Sequence, residues 1–129
     1  MENDNVEEVF PGFSYPEDKG GFTRIPHQFF DVCAQIKNLA ELKVIMYVAR
    51  RTWGFQNYRT PEKITIDEFK HGRKRRNGDD LDAGTSLGHT AINDGIKRAM
   101  VHGYLLAELN TGEPGWPTYS YLLKMRDFE

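Results

Sequence analysis

Residues 85–108, TSLGHTAINDGIKRAMVHGYLLAE, constrain the fold more than any other stretch. Leu87, Ile92, Ile96, Ala99 and Met100 recur at helical spacing, so one face of the segment is apolar. His89, Thr90, Asn93, Lys97 and Arg98 lie largely on the other face. Gly103 stands where a helix C-terminus takes a left-handed residue. Tyr104-Leu105-Leu106 then starts a buried strand. A helix over 88–102 with one greasy side must pack on a second layer. Its free side carries short polar groups of the kind that read base edges in a DNA major groove. The segment is therefore a candidate recognition helix. The competing reading is the solvated side of an ordinary packed helix.

The elements around it follow from periodicity and punctuation. Residues 1–21 are acidic and rich in proline and glycine, which predicts a flexible arm; Phe10, Phe13 and Tyr15 are its candidate docking groups. Phe22-Thr23-Arg24-Ile25 is extended ahead of Pro26, which suits a first helical position. A helix over 27–36 follows, with Phe29, Phe30, Cys33 and Ile36 inward. A second helix over 39–53 places Leu39, Leu42, Ile45, Met46 and Ala49 inside and Lys43, Arg50 and Arg51 outside, with Gly54 ending it. After a loop over 55–62, Lys63-Ile64-Thr65-Ile66 alternates as a short strand, and Asp67 can cap a short helix containing Phe69. A polar insert over 71–84 precedes the recognition helix. Strands over 104–110 and 118–125 flank a Gly/Pro loop and form a hairpin, which the short strand can join.

The fold class expected is α+β, mostly helical, with a small antiparallel sheet and an insert before the recognition helix. The order is that of a winged helix-turn-helix, a domain over 22–129 behind an arm over 1–21. At 129 residues, with 39% hydrophobic and 12% aromatic content, one domain can bury a real core. Cys33 is the single cysteine, sits on an apolar helix face and reads as core. No disulfide framework can form within one chain, which fits a reducing cytoplasmic compartment. No segment reads as a signal peptide or membrane span.

The formal charge of −2 argues against nucleic acid only if the chain is taken whole. Residues 1–19 hold six acids and one base; without them 19 acids and 17 bases become 13 and 16, a body near +3. That is mildly basic, short of the excess carried by a nonspecific binder.

The run Arg73-Lys74-Arg75-Arg76 is the densest positive charge. It can grip phosphates beside the recognition helix. Alternatively, a hairpin turn at Asn77-Gly78 sets Arg76 opposite Asp79, Arg75 opposite Asp80 and Arg73 opposite Asp82, which neutralises much of it. The two readings are compatible if only the tip bases face DNA. Asp79, Asp80 and Asp82 lack the spacing of a calcium loop and read as turn residues. His71, His89 and His102 lack metal-ligand spacing, and no Walker loop is present. The sequence offers no catalytic, cofactor or metal site.

Two stretches carry a family resemblance. Gly21-Phe22-Thr23-Arg24-Ile25-Pro26, then Arg50-Arg51-Thr52-Trp53-Gly54-Phe55, then Lys63-Ile64-Thr65-Ile66, resemble the N-terminal domain of phage replication protein O and its relatives. Residues 84–92 with Ile96-Lys97-Arg98-Ala99 and Gly103-Tyr104-Leu105 are similar to recognition helices of many winged-helix proteins. The resemblance covers residues 21–110. It implies sequence-specific binding of double-stranded DNA in phage- or plasmid-type replication initiation. Transcription regulation and a protein-contact role on the same fold are the alternatives. The partners it implies are double-stranded DNA and, beside it, a second copy of the chain or replication proteins.

Matched to the family helix, His89, Thr90, Asn93, Asp94 and Lys97 point into the groove, with Arg98 beside them. Asn93 would pair with adenine, Lys97 would reach guanine or a phosphate, and Thr90 would meet a thymine methyl. Relatives often carry a base where this chain has Asp94. Gly88, or else Ser86, is expected at the helix N-cap, where free amides can hold a phosphate. Gly95 inside the helix costs roughly 1 kcal/mol against alanine, which a close approach by the preceding helix would offset. The wing loop over 110–117 carries Glu113 and Trp116 but no base, unlike wings that track a minor groove. Arg24, Arg50, Arg51 and Arg59 are scattered candidates for backbone contacts.

Overall fold

The structure, a computed structural model, describes residues 9–17, 21–112, 115 and 117–126. It is an α+β arrangement of four helices and a three-stranded antiparallel sheet. Helix α1 (His27–Gln35) follows Pro26, which occupies the N-cap rather than the first helical position. Phe29 is buried against Trp53 in an edge-to-face pair, whereas Phe30, expected inward, faces solvent.

Helix α2 (Leu39–Thr52) is capped by the Asn38 side chain, which accepts from the Glu41 amide at 2.9 Å. It buries Val44, Ile45, Val48 and Ala49, but also Glu41, Tyr47 and Arg51. Leu39 and Met46, expected inside, are exposed. The inner stripe is turned toward Glu41-Val44-Tyr47-Arg51 because those polar groups meet partners in other elements, which apolar counting cannot register. A 3-10 turn over Trp53–Phe55 ends the helix; Gln56, not Gly54, takes the left-handed conformation (φ 59°).

Strand β1 (Glu62–Lys63) is shorter and one residue earlier than the alternation suggests. Ile64 goes into the core and Thr65 becomes the cap of helix α3 (Ile66–His71). The cap is a reciprocal box: Glu68 N–H donates to Thr65 Oγ1 at 3.1 Å, and Thr65 N–H donates to Glu68 Oε1 at 3.0 Å. Asp67, the expected cap, is the second residue of the helix, within its first turn. The missed signal was Thr-x-x-Glu itself.

Helix α4 (His89–Val101) ends at Gly103, whose φ of 83° suits the left-handed position. Strands β2 (Leu105–Asn110) and β3 (Thr118–Leu123) pair in register from Leu105 opposite Leu123 to Asn110 opposite Thr118. Strand β1 adds to the far side of β3, giving the order β1-β3-β2. The core lies between this sheet and α2, α3 and α4, centred on Phe69, Ile64, Ile92, Leu105, Val44 and Val48. Among the described residues, no helix is long and apolar enough to cross a membrane.

Candidate nucleic-acid interface

Helix α4 is split cleanly between two environments. Ile92, Gly95, Ile96 and Ala99 are buried, while His89, Thr90, Asn93, Asp94, Lys97 and Arg98 are exposed. Met100, counted on the apolar face, is partly exposed. The buried side is held against α2 by a close backbone approach. A Cβ on Gly95 would stand 2.7 Å from the Ala40 carbonyl oxygen. The partner is α2, not the preceding helix α3. At the other end, His102 Nδ1 lies 2.6 Å from the buried Glu41 carboxylate.

The exposed groups are not equivalent. Arg98 Nε donates to Asp94 Oδ2 at 2.7 Å, one turn apart. That bond and the Asp94 charge raise the guanidinium pKa further above its ordinary value. Asp94 and Arg98 therefore satisfy each other, and the carboxylate that departs from the expected groove-reading set is partly screened. Lys97 has no ion-pair partner among the described residues. Thr90, Asn93 and Lys97 thus form a ridge of uncommitted polar groups. Gly88 is the N-cap and makes no side-chain cap bond. Ser86 does not cap; it sits at φ 61°, while Thr85 Oγ1 accepts from Leu87 N–H.

The insert between α3 and α4 is a hairpin with a different register from the one expected. Lys74 pairs with Asp80, Arg75 N–H donates to the Asp79 carbonyl at 2.7 Å, and Gly78 N–H donates to the Arg75 carbonyl at 2.9 Å. The turn is therefore Arg76-Asn77-Gly78, with Gly78 at φ 93°, rather than Asn77-Gly78 alone. Asn77 Oδ1 accepts from Asp79 N–H, a local bond that favours this longer turn. The one-residue offset is absorbed at Arg73, whose carbonyl accepts from both Leu81 and Asp82 N–H.

Charge follows register. Lys74 pairs with Asp80 at 2.6 Å and Arg73 Nε with Asp82 at 2.9 Å. Arg75 and Arg76, at the exposed tip, have no ion pair among the described residues. Half of the basic run is neutralised within the hairpin and half is free. Arg73 also stacks over the Phe55 ring at 5.5 Å.

Asp82 is the clasp that fixes this hairpin. Its side chain is fully buried and its Oδ1 accepts from Tyr47 O–H at 2.9 Å, Gly84 N–H at 3.0 Å and Arg73 N–H at 3.3 Å. Burial alone would push the carboxyl up. The bonds from Arg73, Tyr47 and Gly84, with the Arg73 charge, outweigh it and hold the group below its ordinary range. Two further bonds tie the insert to α2: Arg50 donates to the Leu81 carbonyl and Lys43 to the Thr85 carbonyl.

Arg51, read from the sequence as an outward cation, is 4% exposed and belongs to the core. It donates to Tyr47, Glu68, Glu62 and the Lys63 carbonyl, joining α2 to β1 and α3. Arg24, Arg50 and Arg59 are exposed. The wing residues Glu113, Pro114 and Trp116, and residues 1–8 and 18–20 of the arm, lie outside the described residues. Comparison with protein families, curated proteins and solved structures gives no significant match.

Proposed function

We propose that this protein binds double-stranded DNA sequence-specifically, with α4 as the reading helix and the tip of the insert hairpin on a flanking phosphate backbone. The observation that carries this reading is the ridge Thr90-Asn93-Lys97. It is an exposed, uncommitted set of base-reading side chains on a helix whose opposite face is packed without room for even a methyl group at Gly95. Rigid support on one side and free donors on the other is what groove readout needs. The order of α2, β1, α3, α4 and the β2–β3 hairpin, with β1 added beside β3, supports a winged-helix reading of the fold. In that reading α3 and α4 are the helix-turn-helix pair, and the residues between them are the insert. Arg75 and Arg76 supply the phosphate contacts that the wing strands, without a single Lys or Arg over 104–123, do not.

The resemblance of residues 21–110 to replication protein O favours replication initiation as the role of this binding. Transcription control would use the same contacts, and the position of the selected site, origin or promoter, separates the two. Anisotropy of labelled duplex DNA over a salt series tests the binding itself. The affinity is expected to fall steeply as salt rises. No binding at low salt, with the intact chain and with one lacking residues 1–19, would sink the proposal.

A further inference from the structure

A groove of about 530 Å³ runs between the start of the folded domain, the outer side of α2 and the insert hairpin. Phe22, Met46 and Phe55 give it an apolar floor, and Arg50, Arg73 and Arg75 line its side. No Asp or Glu is among its described lining residues. Met46, Phe55 and Phe22, all lining the one groove, keep 51%, 64% and 42% of their surface in water, an exposed apolar cluster rather than scattered single residues. Arg50 is bound only to a backbone carbonyl, and Arg75 has no counter-ion among the described residues. The groove therefore lacks two things at once, apolar cover and negative charge.

The same chain carries a segment with both. Residues 1–17 contain Glu2, Asp4, Glu7, Glu8 and Glu17 and no base, interleaved with Val9, Phe10, Phe13 and Tyr15. Val9, Phe10, Phe13 and Tyr15 stand between 62% and 91% exposed, and the Phe10 and Phe13 rings meet edge-to-face at 4.8 Å. Residues 9–17 do not line the groove of their own chain, and their aromatic side chains are left for another molecule to cover.

We propose that the arm of one copy docks in this groove of a second copy, with its aromatic rings on Phe22, Met46 and Phe55 and its carboxylates facing Arg50 and Arg75. The complementarity of sign and of apolar surface selects this occupant over a generic peptide. The arm and a phosphate backbone would share Arg75, and self-association with no nucleic acid present reads the docking separately from DNA binding.

Sedimentation of the intact chain over a concentration series tests it. A monomer–dimer equilibrium is expected, weakened several-fold by high salt. Deleting residues 1–17 should leave a folded monomer, since residues 9–17 are exposed and none belongs to the core cluster. Met46→Glu in the groove and Phe13→Ser in the arm, both at exposed positions, should each abolish the dimer. A labelled peptide of residues 1–17 should bind the deleted chain and not its Met46→Glu form. A chain that stays monomeric throughout, a dimer that survives arm deletion, or a peptide that binds only the deleted chain while the intact one is monomeric would each overturn the exchange. So would protection of Phe55 by a short oligonucleotide in place of the peptide.

Discussion

The hydroxyl of Tyr47 in α2 donates to the buried Asp82 carboxylate at 2.9 Å, a side-chain bond that joins the helical core to the basic hairpin 35 residues further along. Tyr47→Phe removes the donor and leaves Asp82 Oδ1 with backbone donors alone. A cost of about 1–3 kcal/mol is expected, because the acceptor stays buried. It should appear as a lower urea midpoint together with faster amide exchange over residues 73–84. An unchanged midpoint would show that the clasp does not depend on this bond.

Acid should open the same clasp. The folded-state pKa of Asp82 is depressed below its ordinary value of 3.8, so its stabilisation is present above that value and is lost as pH falls below it. Stability measured from pH 6 to pH 2 should decline in that acid window, and Asp82→Asn should flatten the decline while lowering stability at neutral pH. A variant that keeps the full acid slope would assign the titration to other carboxylates.

Tyr121 is expected to limit stability in alkali. Burial, with the nearby Tyr119, pushes its phenol up to about 12 from 10.0. A raised folded pKa means that its stabilisation is intact below pH 10 and is lost as pH climbs toward 12, by about 2–3 kcal/mol in all. Tyrosinate absorbance should rise together with loss of the circular dichroism signal in that range. Titration of all tyrosines near 10 in the folded state would contradict the burial argument.

Gly95→Ala is a test of sign. Helix propensity alone favours alanine by about 1 kcal/mol. The added methyl would instead meet the Ala40 carbonyl at 2.7 Å and the Glu41 nitrogen at 3.1 Å, both backbone atoms that move only if α2 and α4 separate. Net destabilisation of about 1–3 kcal/mol is expected. A raised melting temperature would mean that the two helices have slack.

For DNA, the structure narrows which substitutions separate readout from grip. Asn93→Ala should relax sequence preference while leaving much of the nonspecific affinity. Arg75→Ala with Arg76→Ala should weaken all sequences alike and lower the salt slope by about 2. Arg73→Ala is a poor probe, since it would open the Asp82 clasp. Binding indifferent to both sets would displace the groove assignment from α4.

The division between legible and illegible residues follows from where each residue's partners lie. Gly103, the apolar positions Ile92, Ile96 and Ala99, and the β2–β3 hairpin could be read directly, because helix and strand periods and a left-handed stop are local properties of a few neighbouring residues. The exposed face of α4 was legible for the same reason: the residues that do not pack must face outward. Arg51, Glu41 and Tyr47 were not legible. Their burial depends on Glu68, His102 and Asp82, which are distant in sequence and become neighbours only when α2 meets α3, α4 and the insert. The hairpin register, a three-residue turn with the Asp79 N–H bonded to the Asn77 side chain and an offset at Arg73, fixes which two of four basic residues stay free.

By itself, then, the sequence determined the order of the elements, the left-handed stop at Gly103 and which side of α4 seeks the core, since these are properties of local geometry and solvent preference. Only the tertiary structure decided which charges are spent inside the molecule and which remain outside it. A charged group is buried or free according to whether a partner stands within hydrogen-bonding distance, and for Arg51, Arg73 and Asp82 that partner arrives through packing.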